Sequence, residues 1–490
     1  MNPPITQLIT MPEGKTLEFK RNLSSPKNIL KTMVAFANSA GGRLLVGVED
    51  GTREILGIVN PLDEEERLCN LIADSIEPRL VPNVELIAWQ DKTLLSVEVY
   101  PSGSRPHWLK SEGPMDGVYV RLGSTNRKAD SDLIQELRRN AMGVTFDEQS
   151  LPDRTADDID FKAAAVIFER QRKLVKKDFE SLRIVTMHQG RWVPTVGGML
   201  LFGKDREMIF PDAWIQCGRF VGTDKADIFD HIEIHDHLPT AVEKVMEFLK
   251  KHAMRGADFS ELRRKDIWSI PLTILREAVI NAIVHADYSQ KGAPIRVAFF
   301  DDRIEIENPG ILLPGLTVED MLQGVSKIRN RVIARVFREL DFIEQWGSGV
   351  RRMFKEADEL GLPKPEIIEI GMRLRFIVHL AKLLVLPPET EPGQNQVGVQ
   401  LPTQLPTQSD EPIQRLLLAL KDGEKSSGAL RSVLGIKHRP TFRDNHLHPA
   451  LDAELIEMTI PEKPRSSKQK YRLTAKGQAA LNTGPEKRSE

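Results

Sequence analysis

The fold of the central part of this chain is decided by residues 271–287, which read PLTILREAVINAIVHAD. Proline is tolerated in the first turn of a helix, and apolar residues with a helical period fill most of the stretch. Glu277, Asn281 and His285 are four residues apart, so they share one face of that helix. Such a polar stripe is costly to bury without partners. It therefore faces either solvent or a charged ligand such as Mg²⁺ and phosphate oxygens.

A hairpin and a glycine loop follow this helix in the sequence. Residues 295–310 read as two strands, the second of which ends in Asn308-Pro-Gly310. Gly347 and Gly349 stand directly before another predicted helix. A glycine loop that opens a helix offers backbone N–H groups to phosphate, although such loops are common.

Together these motifs resemble the divergent GHKL-type ATP-binding module, which occurs beside AlbA-type domains in proteins often labelled RecG-like. The resemblance implies a helix–sheet sandwich that binds ATP, with Glu277 as the base that activates water and Asn281 as a Mg²⁺ ligand. The nucleotide-binding residues that it implies are Asn281, His285, Asn308, Gly310, Gly347 and Gly349. The chain contains no Gly-x-x-x-x-Gly-Lys-Ser/Thr phosphate loop, so we do not expect helicase activity.

Acidic residues surround the first predicted strand. Glu13, Glu18 and Lys20 lie in or beside it, and Asp50 follows the strand that comes after a glycine pair. Carboxylates that converge at strand ends can hold a divalent cation, and a nearby lysine can contact phosphate. The spacing alone favours a solvated strand edge with surface ion pairs over a metal-dependent nuclease.

Four separated motifs in the first 140 residues resemble the Schlafen/AlbA-type domain. They are residues 13–20 (EGKTLEFK), 35–42 (AFANSAGG), 47–51 (GVEDG) and 119–126 (YVRLGSTN). The resemblance implies an α+β domain with a mixed sheet that binds DNA or RNA, with Lys20 among the contacts. In Schlafen nucleases the catalytic, metal-binding acids would fall on Glu13, Glu18 and Asp50, with Mg²⁺ or Mn²⁺ as the metal.

The end of the chain reads as a tether followed by a small domain. Residues 386–410 are rich in Pro, Gln, Thr and Gly, which predicts a flexible linker. Helical patterns and a basic hairpin within residues 411–483 predict a winged helix that binds duplex DNA, with protein contact as the alternative. This segment resembles the winged helix of RecG-like regulatory proteins. The expected DNA contacts are Arg439, Arg443, Lys468 and Lys470.

Composition limits the class of protein. The 490 residues carry a formal net charge of −2, so any contact with nucleic acid must come from local patches. Cys69 and Cys217 are the only cysteines, too few for a disulfide scaffold or a zinc cluster, which favours a reducing compartment. No apolar run approaches the roughly 18 residues of a membrane span, and the first residues do not read as a secretory signal. We therefore expect a cytoplasmic protein without a membrane partner.

The sequence thus predicts a multidomain α+β protein. The expected parts are a Schlafen/AlbA-type domain (1–148), a connector (149–265), a GHKL-like module (266–385), a linker (386–410) and a winged helix (411–483). We expect the protein to be a nucleic-acid-binding, ATP-responsive regulator that acts in transcription. Weak ATPase activity and homo-oligomerisation are compatible with this function. The alternative is a divalent-metal-dependent endonuclease that cuts RNA or DNA in stress or phage defence.

Overall fold

The computed structural model describes residues 5–253, 255–258, 265–343, 349–380, 416–421, 423–434, 442, 447–453, 455–459 and 469–482. The chain divides into two compact units, Met1–Leu386 and Pro387–Glu490.

The helices and strands follow one another in a mixed order. The described helices are α1 (Ile5–Thr10), α2 (Pro26–Asn38), α3 (Pro61–Ser75), α4 (Gly113–Asp116), α5 (Ser131–Ala141), α6 (Phe161–Phe168), α7 (Lys176–Ser181), α8 (Val196–Phe202), α9 (Arg206–Ile209), α10 (Leu238–His252), α11 (Leu272–His285), α12 (Val318–Leu322), α13 (Arg331–Glu339), α14 (Gly349–Glu359), α15 (Ser427–Leu434), α16 (His448–Asp452) and α17 (Ala475–Asn482). The described strands are β1 (Leu17–Lys20), β2 (Gly42–Val46), β3 (Ile76–Glu77), β4 (Asn83–Trp89), β5 (Lys92–Val99), β6 (Trp108–Leu109), β7 (Tyr119–Leu122), β8 (Thr125–Lys128), β9 (Val185–His188), β10 (Arg191–Pro194), β11 (Ile215–Phe220), β12 (Ile228–Ile234), β13 (Arg255–Asp258), β14 (Lys265–Trp268), β15 (Ile295–Phe299), β16 (Arg303–Pro309), β17 (Glu366–Ile370), β18 (Arg373–His379), β19 (Lys425–Ser426), β20 (Ile456–Met458) and β21 (Lys470–Leu473).

The N-terminal part is built on a four-stranded sheet in the order β1-β2-β5-β4. Strands β1 and β2 run parallel, and the other neighbours run antiparallel, so the sheet is mixed as predicted. Helix α2 begins with proline in its first turn and buries its apolar residues in the core beneath this sheet. The Asn38 amide at its end donates to the backbone oxygens of His107 and Tyr119 at 2.9 Å. These bonds tie β7 to the end of the helix.

A six-stranded sheet forms the centre of the first unit, in the order β12-β11-β15-β16-β18-β17. Strands β15 and β16 form the antiparallel hairpin that the sequence predicts. Strand β11 pairs with β15 in parallel, and β12 pairs with β11, so two strands of the predicted connector extend the sheet of the predicted central module. The boundary expected at residue 265 therefore divides one continuous sheet, because parallel pairing joins strands that are distant in sequence.

Helix α11 crosses the inner face of this sheet and packs against α10, α14, β16 and β18. Its apolar positions, including Ile274, Leu275 and Ile283, are completely buried. The last carbonyls of a helix have no partner within the helix, and other groups must satisfy them. The Asn330 amide does so here, since it donates to the backbone oxygens of Val284 at 2.9 Å and Ala286 at 2.7 Å.

Two buried carboxylates join the N-terminal part to the six-stranded sheet and its helices. Glu369 forms an ion pair with Lys15 at 2.6 Å, and both side chains are largely buried. Asp147 accepts hydrogen bonds from the backbone N–H groups of Val332 at 2.6 Å and Ile333 at 3.0 Å, in the first turn of α13. The carboxylate thereby satisfies N–H groups that the helix itself leaves without partners.

The described part of the second unit contains a three-stranded antiparallel sheet in the order β19-β21-β20. The side chains of Leu416, Leu417, Leu420 and Leu430 pack with those of Phe442, Ile456 and Tyr471 in a small separate core. The hairpin predicted within residues 411–483 is therefore present as β20 and β21, and α17 is an additional helix after it.

Within the described ranges, none of the helices combines the length and apolarity needed to cross a lipid bilayer.

Candidate functional site

A cavity of about 310 Å³ lies between α11, the six-stranded sheet and helices α13 and α14. The polar stripe of α11 forms one wall, because Glu277, Asn281 and His285 all line the cavity. Apolar side chains such as Leu374 and Phe376 line the sheet side. The stripe therefore faces a concave space and not bulk solvent, and the charged ligand stays a prediction. Small-molecule sites are mostly apolar with a few polar groups, and this cavity has that character.

Glu277 is held at the beginning of α14. Its carboxylate oxygen Oε2 lies 3.1 Å from Arg352 Nη2, and Oε1 accepts a hydrogen bond of 3.3 Å from the Asn281 amide. A Cβ atom on Gly349 would lie only 1.9 Å from Glu277 Oε1. Glycine at this position therefore lets a carboxylate reach the positive end of a helix.

Arg352 is a cavity residue that sequence reasoning missed. Arg352 follows Gly349 by three residues and so lies in the first turn of α14. This spacing in the sequence could have indicated that it faces the same site. Because its guanidinium pairs with Glu277, it partly neutralises the carboxylate that the resemblance assigns as a base. A guanidinium is also the side chain best suited to bind phosphate.

His285 is a neutral side chain at physiological pH. Burial, assisted by the positive charge of Arg329, lowers the pKa of His285 to about 4. A neutral imidazole can exchange hydrogen bonds with a ligand but brings no positive charge to a phosphate. Its role in the cavity is therefore that of a polar, uncharged contact.

Asn308 and Gly310 stabilise the backbone conformation beside the cavity. The Asn308 amide donates to the backbone oxygen of Pro309 at 3.0 Å, although the side chain also lines the cavity. Gly310 has φ of +97°, and a Cβ there would lie 2.1 Å from Arg329 Nη1. Gly310 is not among the lining residues, so the structure gives it a conformational and packing role instead of the predicted ligand contact. Gly347 lies outside the described residues.

Arg329 connects the cavity wall with the N-terminal part. Its Nη1 donates to the backbone oxygen of His285 at 2.8 Å, and its Nη2 donates to that of Ile311 at 2.6 Å. Its Nε forms a buried ion pair of 2.7 Å with Glu136 on α5. Burial raises the pKa of Glu136, and the charge of Arg329 opposes that rise. The guanidinium thus supports the end of α11 at the wall of the cavity.

The N-terminal acids are engaged with protein groups. The buried Glu18 pairs with the buried guanidinium of Arg121 and, at 2.5 Å, with Lys20. Glu13 accepts a hydrogen bond of 2.7 Å from the backbone N–H of Phe19. Burial raises the pKa of Glu13, and the neighbouring charges of Glu18 and Asp50 raise it further. Glu13 therefore lies within electrostatic reach of the other two predicted acids.

They do not form a metal cage, however. Among the residues that the structure describes, no group of three or more His, Cys, Asp or Glu side chains is arranged to hold a metal ion. The physical reason at Glu18 is that Arg121 and Lys20 already supply its positive partners. The sequence missed this role of Arg121, because the ion pair joins residues 103 positions apart.

Three of the four predicted DNA contacts in the second unit, Arg439, Arg443 and Lys468, lie outside the described residues. Lys470 is described in β21, where its ammonium group lies 2.8 Å from the Glu424 carboxylate. Both side chains are about half exposed, so this is a surface ion pair of small energetic value.

Three segments of the chain match models of known families. Residues 13–130 match "Schlafen, AlbA_2", and residues 292–378 match "Putative ATP-dependent DNA helicase recG C-terminal". Residues 411–474 match "Filamentation induced by cAMP protein Fic-like, C-terminal domain". The molecule is therefore a multidomain protein with a Schlafen/AlbA-type domain and a RecG-like ATPase-like domain, as expected.

The Fic-like match corrects the expectation of a winged helix for residues 411–483. Short helices followed by a hairpin are common to many small domains, so the local pattern did not identify the family. The expected duplex DNA contacts of that domain stay predictions.

Comparison with solved structures gives partial likenesses. The DIP2311 protein of Corynebacterium diphtheriae is 16% identical, with 96% of this chain and 98% of that chain covered, at a TM-score of 0.41. The N-terminal domain of a RecG-related protein from Nitrosomonas europaea is 27% identical, with 26% and 94% covered, at a TM-score of 0.22. A Fic family protein from Desulfovibrio desulfuricans G20 is 16% identical, with 71% and 77% covered, at a TM-score of 0.13. A search of curated proteins gives no significant match.

Proposed function

We propose that the cavity beside α11 binds a purine nucleotide, ATP, together with Mg²⁺, and that the protein is a nucleotide-responsive regulator that acts on nucleic acid. The observation that carries this proposal is the stripe of Glu277, Asn281 and His285, which lines a mostly apolar cavity of about 310 Å³. That volume is at the lower end of the range for small-molecule sites, roughly 300–1,000 Å³. Transcription is the process in which we expect the regulator to act.

The residues around the cavity fit such a ligand. Apolar side chains on the sheet suit a flat base, and Arg352 suits phosphate oxygens. The Asn281 amide nitrogen already donates to Glu277, so its amide oxygen is the atom that would bind Mg²⁺. The bound ion would neutralise phosphate charge. The proposed GHKL-like character of the module supports the same site.

Glu277 is the residue that we propose as the base for a slow hydrolysis of the nucleotide. Its carboxylate oxygens accept from Arg352 and from the Asn281 amide, and because a carboxylate has about four lone-pair sites, sites remain for an attacking water. We expect slow turnover, which suits a regulator more than a motor.

Calorimetry with ATP and Mg²⁺ tests the proposal. Wild-type protein should bind, and Asn281→Ala should lose the Mg²⁺-dependent part of the binding because a methyl group replaces the amide oxygen. Glu277→Gln should still bind but should release no phosphate. Asn70→Ala is the matched control, because Asn70 is an exposed asparagine on α3. Absence of heat from wild type with every purine nucleotide, or equal binding by wild type and Asn281→Ala, would contradict the proposal.

The nuclease alternative has no comparable support. Glu18 is ion-paired on both sides, and the described acids form no metal-binding group. Binding of DNA or RNA by the Schlafen/AlbA-type domain is the part of that expectation that we retain in the proposal.

A further inference from the structure

A second, more open groove of about 520 Å³ lies against the outer face of α13. Four basic side chains line it: Lys327, Arg331, Arg335 and Arg338. No carboxylate is among its described lining residues. Several cations around one concave surface attract anions, and they do so over distances of about a Debye length.

The groove adjoins the cavity beside α11. Lys327 and Arg338 line both spaces, as do Ser326 and Leu313. A ligand that lies in the cavity can therefore extend into the groove, and a ligand in the groove lies against the cavity rim.

The two shared cations are available for a ligand. Arg331 is 3.4 Å from Glu148, and Arg335 donates to the backbone oxygen of Ser181. Lys327, by contrast, donates only to the backbone oxygen of Pro314, at 2.7 Å, and neither it nor Arg338 forms an ion pair with a described residue. An ammonium group has three donors, so Lys327 retains two for a ligand.

Arg105 adds a further cation from the N-terminal part. Its Nη2 donates at 2.9 Å to Asn140, which lines the groove. Its buried Nε has no hydrogen-bond partner within the described residues, which is a costly state for a polar group. Burial lowers the pKa of Lys327, and the nearby charge of Arg105 lowers it further, although Asp320 opposes this effect. Arg105 and Lys327 therefore repel each other until an anion lies near them.

We propose that this groove binds phosphate groups, with Lys327 and Arg338 as the principal contacts and Arg105 behind them. The proposal rests on the proposed function for the identity of the neighbouring ligand. The phosphates come either from the phosphate chain of a nucleotide in the cavity or from a strand of nucleic acid that crosses its rim. Arginine and lysine side chains bind both in the same way.

The test replaces both shared cations, in Lys327→Gln/Arg338→Gln. The matched control is Lys355→Gln/Arg191→Gln, which also removes one exposed lysine and one exposed arginine. Lys355 pairs with Glu359, and Arg191 donates to the backbone oxygen of Pro152, outside the Schlafen/AlbA-type domain. Three probes are used with the full chain: adenosine and ATP by calorimetry, and a fluorescent single-stranded DNA oligonucleotide by anisotropy at several salt concentrations.

We expect the groove variant to bind ATP or the oligonucleotide at least about tenfold more weakly than the control does, because two charge-assisted contacts are lost. Binding of adenosine should not change, since it carries no phosphate. A loss with ATP alone identifies the nucleotide as the source of the phosphates. A loss with the oligonucleotide, together with a salt slope reduced by about 1.4, identifies nucleic acid.

Equal affinities of the groove variant and the control for both phosphate probes would overturn the proposal, while binding of ATP by wild type would leave the proposed function intact. Conversely, an oligonucleotide that binds through the groove in a protein that binds no nucleotide would support the groove and reject the nucleotide site. Wild-type protein that binds neither phosphate probe would reject both.

Discussion

Side chains around the cavity show how strongly a residue's role depends on partners far away in sequence. Arg329 is buried, and its three donor groups bind Glu136, His285 and Ile311. Gly310 provides the space for its guanidinium. The sequence suggested that Asn308-Pro-Gly310 contacts a ligand. In the structure this segment serves in part to position the Arg329 guanidinium. Burial of a guanidinium is costly, and the hydrogen bonds to these three acceptors offset that cost.

His285 should make the stability of the protein depend on pH. Its pKa is about 4 when folded and about 6.5 when unfolded, so the unfolded state binds more protons between these values. The free energy of unfolding should therefore be unaffected by His285 above pH 6.5 and should fall, by on the order of 3 kcal/mol, as the pH decreases to 4. Denaturant titrations across this range should show a shallower loss for His285→Gln than for wild type.

The exposed His231 supplies the control for this prediction. His231→Gln should retain the wild-type pH dependence. If His285→Gln and His231→Gln behaved alike, the buried imidazole would not be the source of the acid sensitivity.

At the scale of elements, the apolar helix α8 is packed closely enough to require glycine. A Cβ atom on Gly198 would lie 2.0 Å from the backbone oxygen of Ile184. Alanine normally stabilises a helix interior by about 1 kcal/mol relative to glycine, whereas overpacking costs about 1–3 kcal/mol. Because the obstacle is backbone and cannot rotate away, we expect Gly198→Ala to lower the free energy of unfolding by about 2 kcal/mol.

Urea denaturation can measure this effect, with a glycine in open surroundings as the control. A Cβ atom on Gly103 would have no neighbouring atom within 4 Å, so Gly103→Ala should change stability little. A Gly198→Ala protein as stable as wild type would mean that α8 and the backbone at Ile184, just before β9, can separate at little cost.

Local patterns predicted several of these elements well. Helix α11 and the hairpin of β15 and β16 follow from period and turn signals that neighbouring residues carry. The stripe on α11 likewise identified one wall of the cavity. The pairing of β11 with β15 and the ion pair of Glu18 with Arg121 could not be predicted, because both join residues whose separation in the sequence carries no local signal. The Fic-like segment was misassigned because its pattern of helices and strands is not specific.

At the scale of the whole molecule, the first unit is held together by charges buried between its parts. Lys15 belongs to the Schlafen/AlbA-type domain, and Glu369 lies on β17 of the six-stranded sheet. Burial lowers the pKa of Lys15, while the charge of Glu369 opposes this effect. The backbone N–H of Leu312, beside the cavity, also donates to Glu369 at 2.8 Å. One carboxylate therefore contacts both the N-terminal domain and the cavity wall.

Glu369→Gln should strongly destabilise the first unit. The amide keeps the shape and can still accept from Leu312, but the Lys15 ammonium loses its opposite charge, at a cost of about 3 kcal/mol or more. The double variant Lys15→Met/Glu369→Gln should recover part of that loss, because no unpaired charge remains. Guanidinium denaturation measured by tryptophan fluorescence gives each free energy. Strict additivity of the two single changes would show that the pair does not couple the domains.

The carboxylate of Asp147 has a consequence for the order of events during synthesis. It caps α13 across 186 residues of chain, as measured to Ile333. At roughly 5–20 residues per second, a ribosome needs about 10–40 s to produce that interval. For that time the capping residue has left the ribosome while the helix that it completes does not yet exist. A nascent chain stalled before Arg331 should therefore lack a complete central core, even if its N-terminal sheet has already formed.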